Sequence, residues 1–176
     1  MGGRAGGGAG MGSRSALTRA VAKAENSIKG SSVENAYVFD SNGNVVFRRI
    51  EGEMHQMSSN PKLNALMNKL AANSHRVDIP PQYMANNIVT HNHPHASSLS
   101  AGDLSAAIGG NAKEMRVVTK STTYSLKRPK GGWSGVSTPS VIKSYNSVYS
   151  KSKDAHAAMT HVAKEFGLKY TSSPTK

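Results

Sequence analysis

The chain contains no cysteine. Disulfides, thiolate metal sites and cysteine nucleophiles are therefore excluded, and any metal is limited to histidine, carboxylate and water ligands. Aromatic residues are also scarce, at 6% of 176 positions with a single tryptophan. Without an aromatic cluster or an arginine-rich run, base stacking and sequence readout of nucleic acid are poorly served. No apolar run approaches the ~20 residues that span a bilayer. The opening MGGRAGGGAGMGSRS lacks the apolar middle of a secretory signal. Its glycines precede neither a strand nor a Lys-Ser/Thr pair, so they form no phosphate-binding loop. The expectation is an intracellular, soluble protein with no membrane partner, which the missing cysteines also fit.

Acidic residues are few: 10 Asp/Glu stand against 22 Lys/Arg, a formal net charge of +12. The imbalance is uneven, with twelve Lys/Arg and three Asp/Glu falling in residues 104–176. Two readings stay open: a solvated basic face, or attraction to a polyanion through non-specific DNA contacts.

The length is that of one domain able to bury a core without staples. Residues 1–13 are glycine-rich low complexity, a flexible arm or an appended segment. Leu17, Val21, Ala24 and Ile28 recur at helical spacing, and Gly30 stops the pattern. Asp40-Ser41-Asn42-Gly43-Asn44 between β-branched runs predicts a hairpin, with strands over residues 35–39 and 45–50. A helix is expected over 60–72, with Pro61 in its first turn and Leu63, Leu66, Met67 and Leu70 on one face. Pro80-Pro81 breaks the chain. Residues 87–91 read as a short buried strand, 100–108 as a helix closed by Gly109-Gly110, and 114–120 and 122–127 as two further strands. After the loop RPKGGWSG, residues 139–168 read as mainly helical and 171–176 as a polar tail. Strands and helices intermixed in this order give one α/β or α+β domain over 14–170, a mixed sheet flanked by helices.

One segment carries chemistry: THNHPHASSLSAGD, from Thr90 to Asp103. Residues two apart on a strand face the same side, so His91 and His93 present two imidazoles to one point. Pro94 ends the ladder and places that point at an exposed strand end. Asp103, on the first turn of the next helix, can return a carboxylate, and three protein ligands plus a water make a catalytic zinc pattern. The competing reading of Ser100-Ala101-Gly102-Asp103 is a helix cap, with the serine oxygen accepting from a helix amide. Both readings stand on the residues alone. His156 and His161 read as surface residues, His55 and His75 lie in polar surroundings with no evident partner, Trp133 plugs the core or borders a substrate groove, with core the favoured reading, and Met54, Met57, Met67 and Met84 read as packing.

His91-Asn92-His93-Pro94 followed by Ser100 and Asp103 resembles the JAMM (MPN+/JAB) metalloprotease motif, H-x-H-P then S-x-x-D. The HNHP form is similar to RadC-like proteins, and closer still to JAB-like domains associated with phage head-morphogenesis proteins. Arg116-Val117-Val118, Tyr124-Ser125-Leu126-Lys127-Arg128-Pro129 and Trp133 extend the likeness, which covers residues 32–133 and, more loosely, Gly167-Leu168-Lys169-Tyr170. Six residues separate His93 from Ser100, where many members have seven, and His95 stands outside the family pattern.

The resemblance implies an MPN/JAB-like, cytidine-deaminase-like fold with Zn2+ held by His91, His93 and Asp103. It gives Glu34 the role of catalytic glutamate, with Glu51 and Glu53 as rivals, and makes Ser100 a donor to the oxyanion. The implied activity is hydrolysis of a peptide or isopeptide bond in a protein substrate, in a phage or prophage setting, cytoplasmic in the host or associated with the virion. Two alternatives accompany it. One is a non-catalytic MPN-fold structural or assembly protein touching phage structural proteins. The other is a DNA-associated role of the kind proposed for RadC-like proteins, using the basic surface.

Overall fold

A computed structural model describes residues 15–51, 60–62, 64–66 and 78–176. Within them, Asp40 organises the first hairpin. Its carboxylate accepts from the backbone amides of Asn42 and Asn44, both at 2.9 Å, and from the Asn44 side-chain amide at 3.0 Å. Gly43 has φ +86°, and a Cβ there would lie 3.1 Å from the Leu17 backbone. Both the turn and the passing helix therefore demand glycine. The hairpin joins β1 (Ala36–Phe39) to β2 (Val45–Arg49), as the Asn-Gly signal predicts.

β1 also pairs antiparallel with β3 (Ile88–Asn92), which runs parallel to β4 (Glu114–Val118). β5 (Thr122–Lys127) and β6 (Lys169–Pro174) complete a six-stranded mixed sheet in the order β2-β1-β3-β4-β5-β6. Every residue of β3 is buried, because helices cover both faces of this inner strand.

On one face lies α1 (Ala16–Ile28), capped by Ser15. Its Val21 and Ala24 pack with Phe39 and Ile88. Glu25 is buried in the same contact and is met from the sheet. Thr90 Oγ1 donates to it at 3.0 Å and Arg116 Nε at 2.6 Å. Arg116 also reaches Glu114 at 2.8 Å, and Ser125 donates to that carboxylate at 2.7 Å. Burial alone would lower the Arg116 pKa, but the hydrogen bonds and charges of Glu25 and Glu114 together outweigh it and the guanidinium is held charged.

The other face carries the main core. α3 (Ala101–Gly109), α4 (Thr138–Ser152) and α5 (Ala155–Phe166) set Leu104, Ala107, Val141, Tyr145, Met159 and Val162 against Val89, Met115, Val117 and Leu126. Trp133 is core, as expected, and its indole N–H donates to the Ala112 carbonyl at 2.8 Å.

Two expectations gain detail and one is corrected. The Pro80-Pro81 break contains a one-turn helix, α2 (Pro81–Met84), since Pro81 fits a first helical position. The helical stretch 139–168 is two helices. Lys153 takes a left-handed φ of 54°, and Asp154 restarts the chain by accepting from His156 N and Ala157 N. The polar tail from 171 is mostly the outer half of β6, whose ladder to β5 runs from Lys169 opposite Lys127 to Pro174 opposite Thr122. An edge strand this exposed carries no apolar alternation to betray it.

The expected helix over 60–72 is helical at 61–62 and 64–66. The rest of it, with the arm 1–13, Glu53, His55, His75, Met54, Met57 and Met67, lies outside the described residues.

Candidate metal centre

The end of β3 delivers the two histidines as its alternation dictates. His91 is its fourth residue, and His93 follows one step beyond. Both rings are buried on the α3 side. Their Nε2 atoms stand 3.1 Å apart, with ring planes at 66°. His93 keeps this pose because Nδ1 donates to the Ser97 carbonyl at 3.1 Å, with the Ser97 hydroxyl also at 3.1 Å. A proton fixed on Nδ1 leaves the Nε2 lone pair facing the cluster.

Asp103 comes from the first turn of α3. Oδ1 lies 3.2 Å from His91 Nε2 and Oδ2 lies 3.4 Å from His93 Nε2. Donors 2.0–2.1 Å from a tetrahedral ion sit about 3.3 Å apart; the two Nε2 atoms approach that spacing, Asp103 brings a different oxygen to each ring, and with one atom from each residue the group spans no more than 4.8 Å. His91, His93 and Asp103 are a group that can hold a metal ion.

Ser100 is the N-cap of α3, and the capping box is complete. Its hydroxyl accepts from Asp103 N at 3.1 Å and donates to Asp103 Oδ2 at 2.7 Å, while Ser100 N donates to that same oxygen at 2.7 Å. The cap therefore holds the carboxylate that faces the histidines. The two open readings of Ser-x-x-Asp turn out to be compatible for Asp103, which is both a capping partner and a candidate ligand.

Electrostatics tie the group together. Burial raises the Asp103 pKa, but the charge and hydrogen bonds of His91 and His93 outweigh it, and the carboxyl is held well below its ordinary value. For His93 burial opposes the charged form, yet the hydrogen bond and charge of Asp103, aided by Glu34, raise the imidazole above its ordinary value.

Glu34 completes the constellation. It precedes β1, and Oε1 lies 3.9 Å from His93 Nε2. Its rival Glu51 is exposed at the end of β2. Glu34, both histidines, Ser100 and Asp103 line one cleft of about 560 Å³, with Ile79, Met84, Tyr145 and Tyr149 also in its lining. His95 is exposed at the same cleft.

The loop between Pro94 and Leu99 is pinned from the C-terminal elements. Tyr145 donates to the Leu99 carbonyl at 3.0 Å, and the Tyr170 hydroxyl meets Ser98 Oγ at 2.5 Å. The roles of these supports, and of Ser97, escape a reading by motif: Ser97 sits in a serine cluster that resembles any polar loop, and both tyrosines are distant in sequence from the loop they hold. His156 is exposed and bonds the Tyr170 hydroxyl at 2.7 Å, while His161 pairs with Glu165 on the surface. Neither joins the metal group.

The site thus gathers a His-His-Asp group that could hold a metal ion, with a carboxylate beside it. Comparison with known proteins adds no relative: no family model, no curated protein and no solved structure matches the chain.

Proposed function

We propose that the chain is a zinc hydrolase of JAMM (MPN/JAB) type, cleaving a peptide or isopeptide bond in a protein substrate. One observation carries the reading: His91 Nε2 and His93 Nε2 stand 3.1 Å apart, Asp103 brings Oδ1 to 3.2 Å from the first and Oδ2 to 3.4 Å from the second, and Glu34 lies 3.9 Å from His93. Two nitrogens and a carboxylate favour zinc over the hard, all-oxygen cations magnesium and calcium. The mixed sheet flanked by helices agrees with an MPN/JAB fold.

The ion would be held by His91 Nε2, His93 Nε2 and an Asp103 oxygen, and would supply Lewis acidity toward an amide carbonyl while lowering the pKa of an attacking water toward ~7. Glu34 accepts a proton from the attacking water at a carboxylate oxygen and passes it to the leaving amine. Ser100 turns its hydroxyl from Asp103 Oδ2 toward the substrate carbonyl oxygen as charge develops there. Asp103 stays in place meanwhile, because the Ser100 backbone amide continues to donate to Oδ2. Ser97 keeps His93 oriented through Nδ1.

A phage or prophage setting, with the protein in the host cytoplasm or the virion, belongs to this reading through the HNHP motif and its flanking residues. A second reading has one observation in its favour. The Ser100 proton is already engaged by Asp103 in a complete capping box, as suits a scaffold or assembly module that uses this fold without catalysis. Metal analysis separates the readings together with Glu34→Gln. The hydrolase reading expects about one zinc per chain, and a Glu34→Gln protein that keeps the zinc while losing cleavage of a peptide or isopeptide probe. Zinc-free protein, or cleavage that survives Glu34→Gln, counts against it.

A further inference from the structure

Glu34 has a placement problem. It lies two residues ahead of β1, in a bend at residues 31–35 that the sheet ladder does not hold. The residue that holds this bend is Asn92, the middle residue of His-x-His. Alternation sends its side chain to the face opposite the histidines, where it is fully buried.

From there it grips both sides of Glu34. Asn92 Oδ1 accepts from Asn35 N at 2.7 Å, and Nδ2 donates to the Val33 carbonyl at 2.9 Å and to Ser31 O at 3.4 Å. The Asn92 backbone amide donates to the Asn35 carbonyl at 3.2 Å. Asn35 extends the clamp, donating to Val33 O at 3.1 Å and accepting from Glu51 N at 2.6 Å.

We infer that Asn92 is a positioning residue: its carboxamide fixes the bend that aims Glu34 at the metal group, so one tripeptide supplies two ligands and the orientation of the base. A carboxamide suits the task because it presents an acceptor and a donor at once, matching one amide and the carbonyls across the bend. An aspartate in its place would face the Val33 carbonyl with no proton to give, and an apolar residue would leave buried backbone groups without partners. The inference rests on the proposed metal reading for its purpose, though the clamp itself is independent of any ion.

Cobalt(II) is the probe, titrated into the parent, Glu34→Gln, Asn92→Ala and the double variant, with visible absorption followed against pH. Asn92→Ala is expected to bind cobalt as the parent does, since His91, His93 and Asp103 are untouched. The pH midpoint of its spectrum moves to the Glu34→Gln value, and the double variant moves no further. An unchanged midpoint, a double variant showing the sum of both shifts, or loss of cobalt by Asn92→Ala would overturn the inference.

A parent that takes up no cobalt contradicts the metal reading instead. The clamp is then judged on the metal-free protein by a crystal structure of Asn92→Ala. A Glu34–His93 separation well beyond the present 3.9 Å supports it, and an unmoved Glu34 refutes it. Should Asn92→Ala not fold, amide exchange in the parent decides: slow exchange at Asn35 N–H is expected from its bond to a buried acceptor, and fast exchange overturns the clamp.

Discussion

His91 and His93 point their Nε2 atoms at each other across 3.1 Å, with Asp103 against both rings. Two buried imidazoles gain little from this approach unless a proton or a cation lies between them. The group could hold a metal ion, and on the proposed reading metal and protons compete for it.

Removing a ligand should empty the site. His91→Ala, and separately Asp103→Asn, are expected to lower zinc affinity by about 100-fold or more, measured by competition with a chromogenic chelator. Parent-like affinity in both variants would remove these residues from the ligand set.

Protons should compete with metal. The His93 pKa is raised in the metal-free fold, so zinc affinity should fall as pH drops through a midpoint above the ordinary imidazole value of ~6.5. Stability of the metal-free protein depends on the same groups, with the opposite sign for His93. The His93 contribution is full below ~6.5 and lost as pH rises through the raised value. The Asp103 contribution is present above its ordinary value and lost as pH falls through the lowered one. Chemical denaturation of chelator-treated protein across pH checks this, with His93→Gln expected to flatten the near-neutral slope.

Ser100→Ala separates the cap from the chemistry. Loss of the N-cap should cost about 1 kcal/mol of stability, seen in denaturant melts. If the hydroxyl also serves the oxyanion, cleavage falls by ~10²–10³ while zinc stays bound. A stability loss with undiminished cleavage would confine Ser100 to capping Asp103.

On the opposite sheet face, Arg116→Met strands Glu25 and Glu114 without their cation. Breaking a buried ionic network typically costs about 3 kcal/mol or more, and a urea midpoint unmoved by the substitution would show that water reaches Glu25. Because α1 rather than the metal cleft is loosened, zinc content should not change.

The hairpin, the inner strand and the capped helix were legible because each rests on short-range rules: Asp40 and Gly43 write a turn, Ile88 to Asn92 a buried run, and Ser100 with Asp103 a cap. The metal group was legible for the same reason, since strand alternation and one helical turn span it. What escaped depended on distant partners. Tyr145 and Tyr170 hold the ligand loop from more than forty residues away. β6 exists through its pairing with β5 rather than through any pattern of its own, and Lys153 breaks a helical stretch without a glycine or proline to announce it. Asn92 was hidden in plain sight, since the alternation that assigns His91 and His93 to the cleft turns it away.

The most direct measurement is an anomalous difference map at the zinc edge from crystals grown with zinc. A single strong peak about 2.0–2.1 Å from His91 Nε2, His93 Nε2 and an Asp103 oxygen is the predicted result. No peak at that position under zinc saturation, with the imidazoles still facing Asp103, would contradict the account.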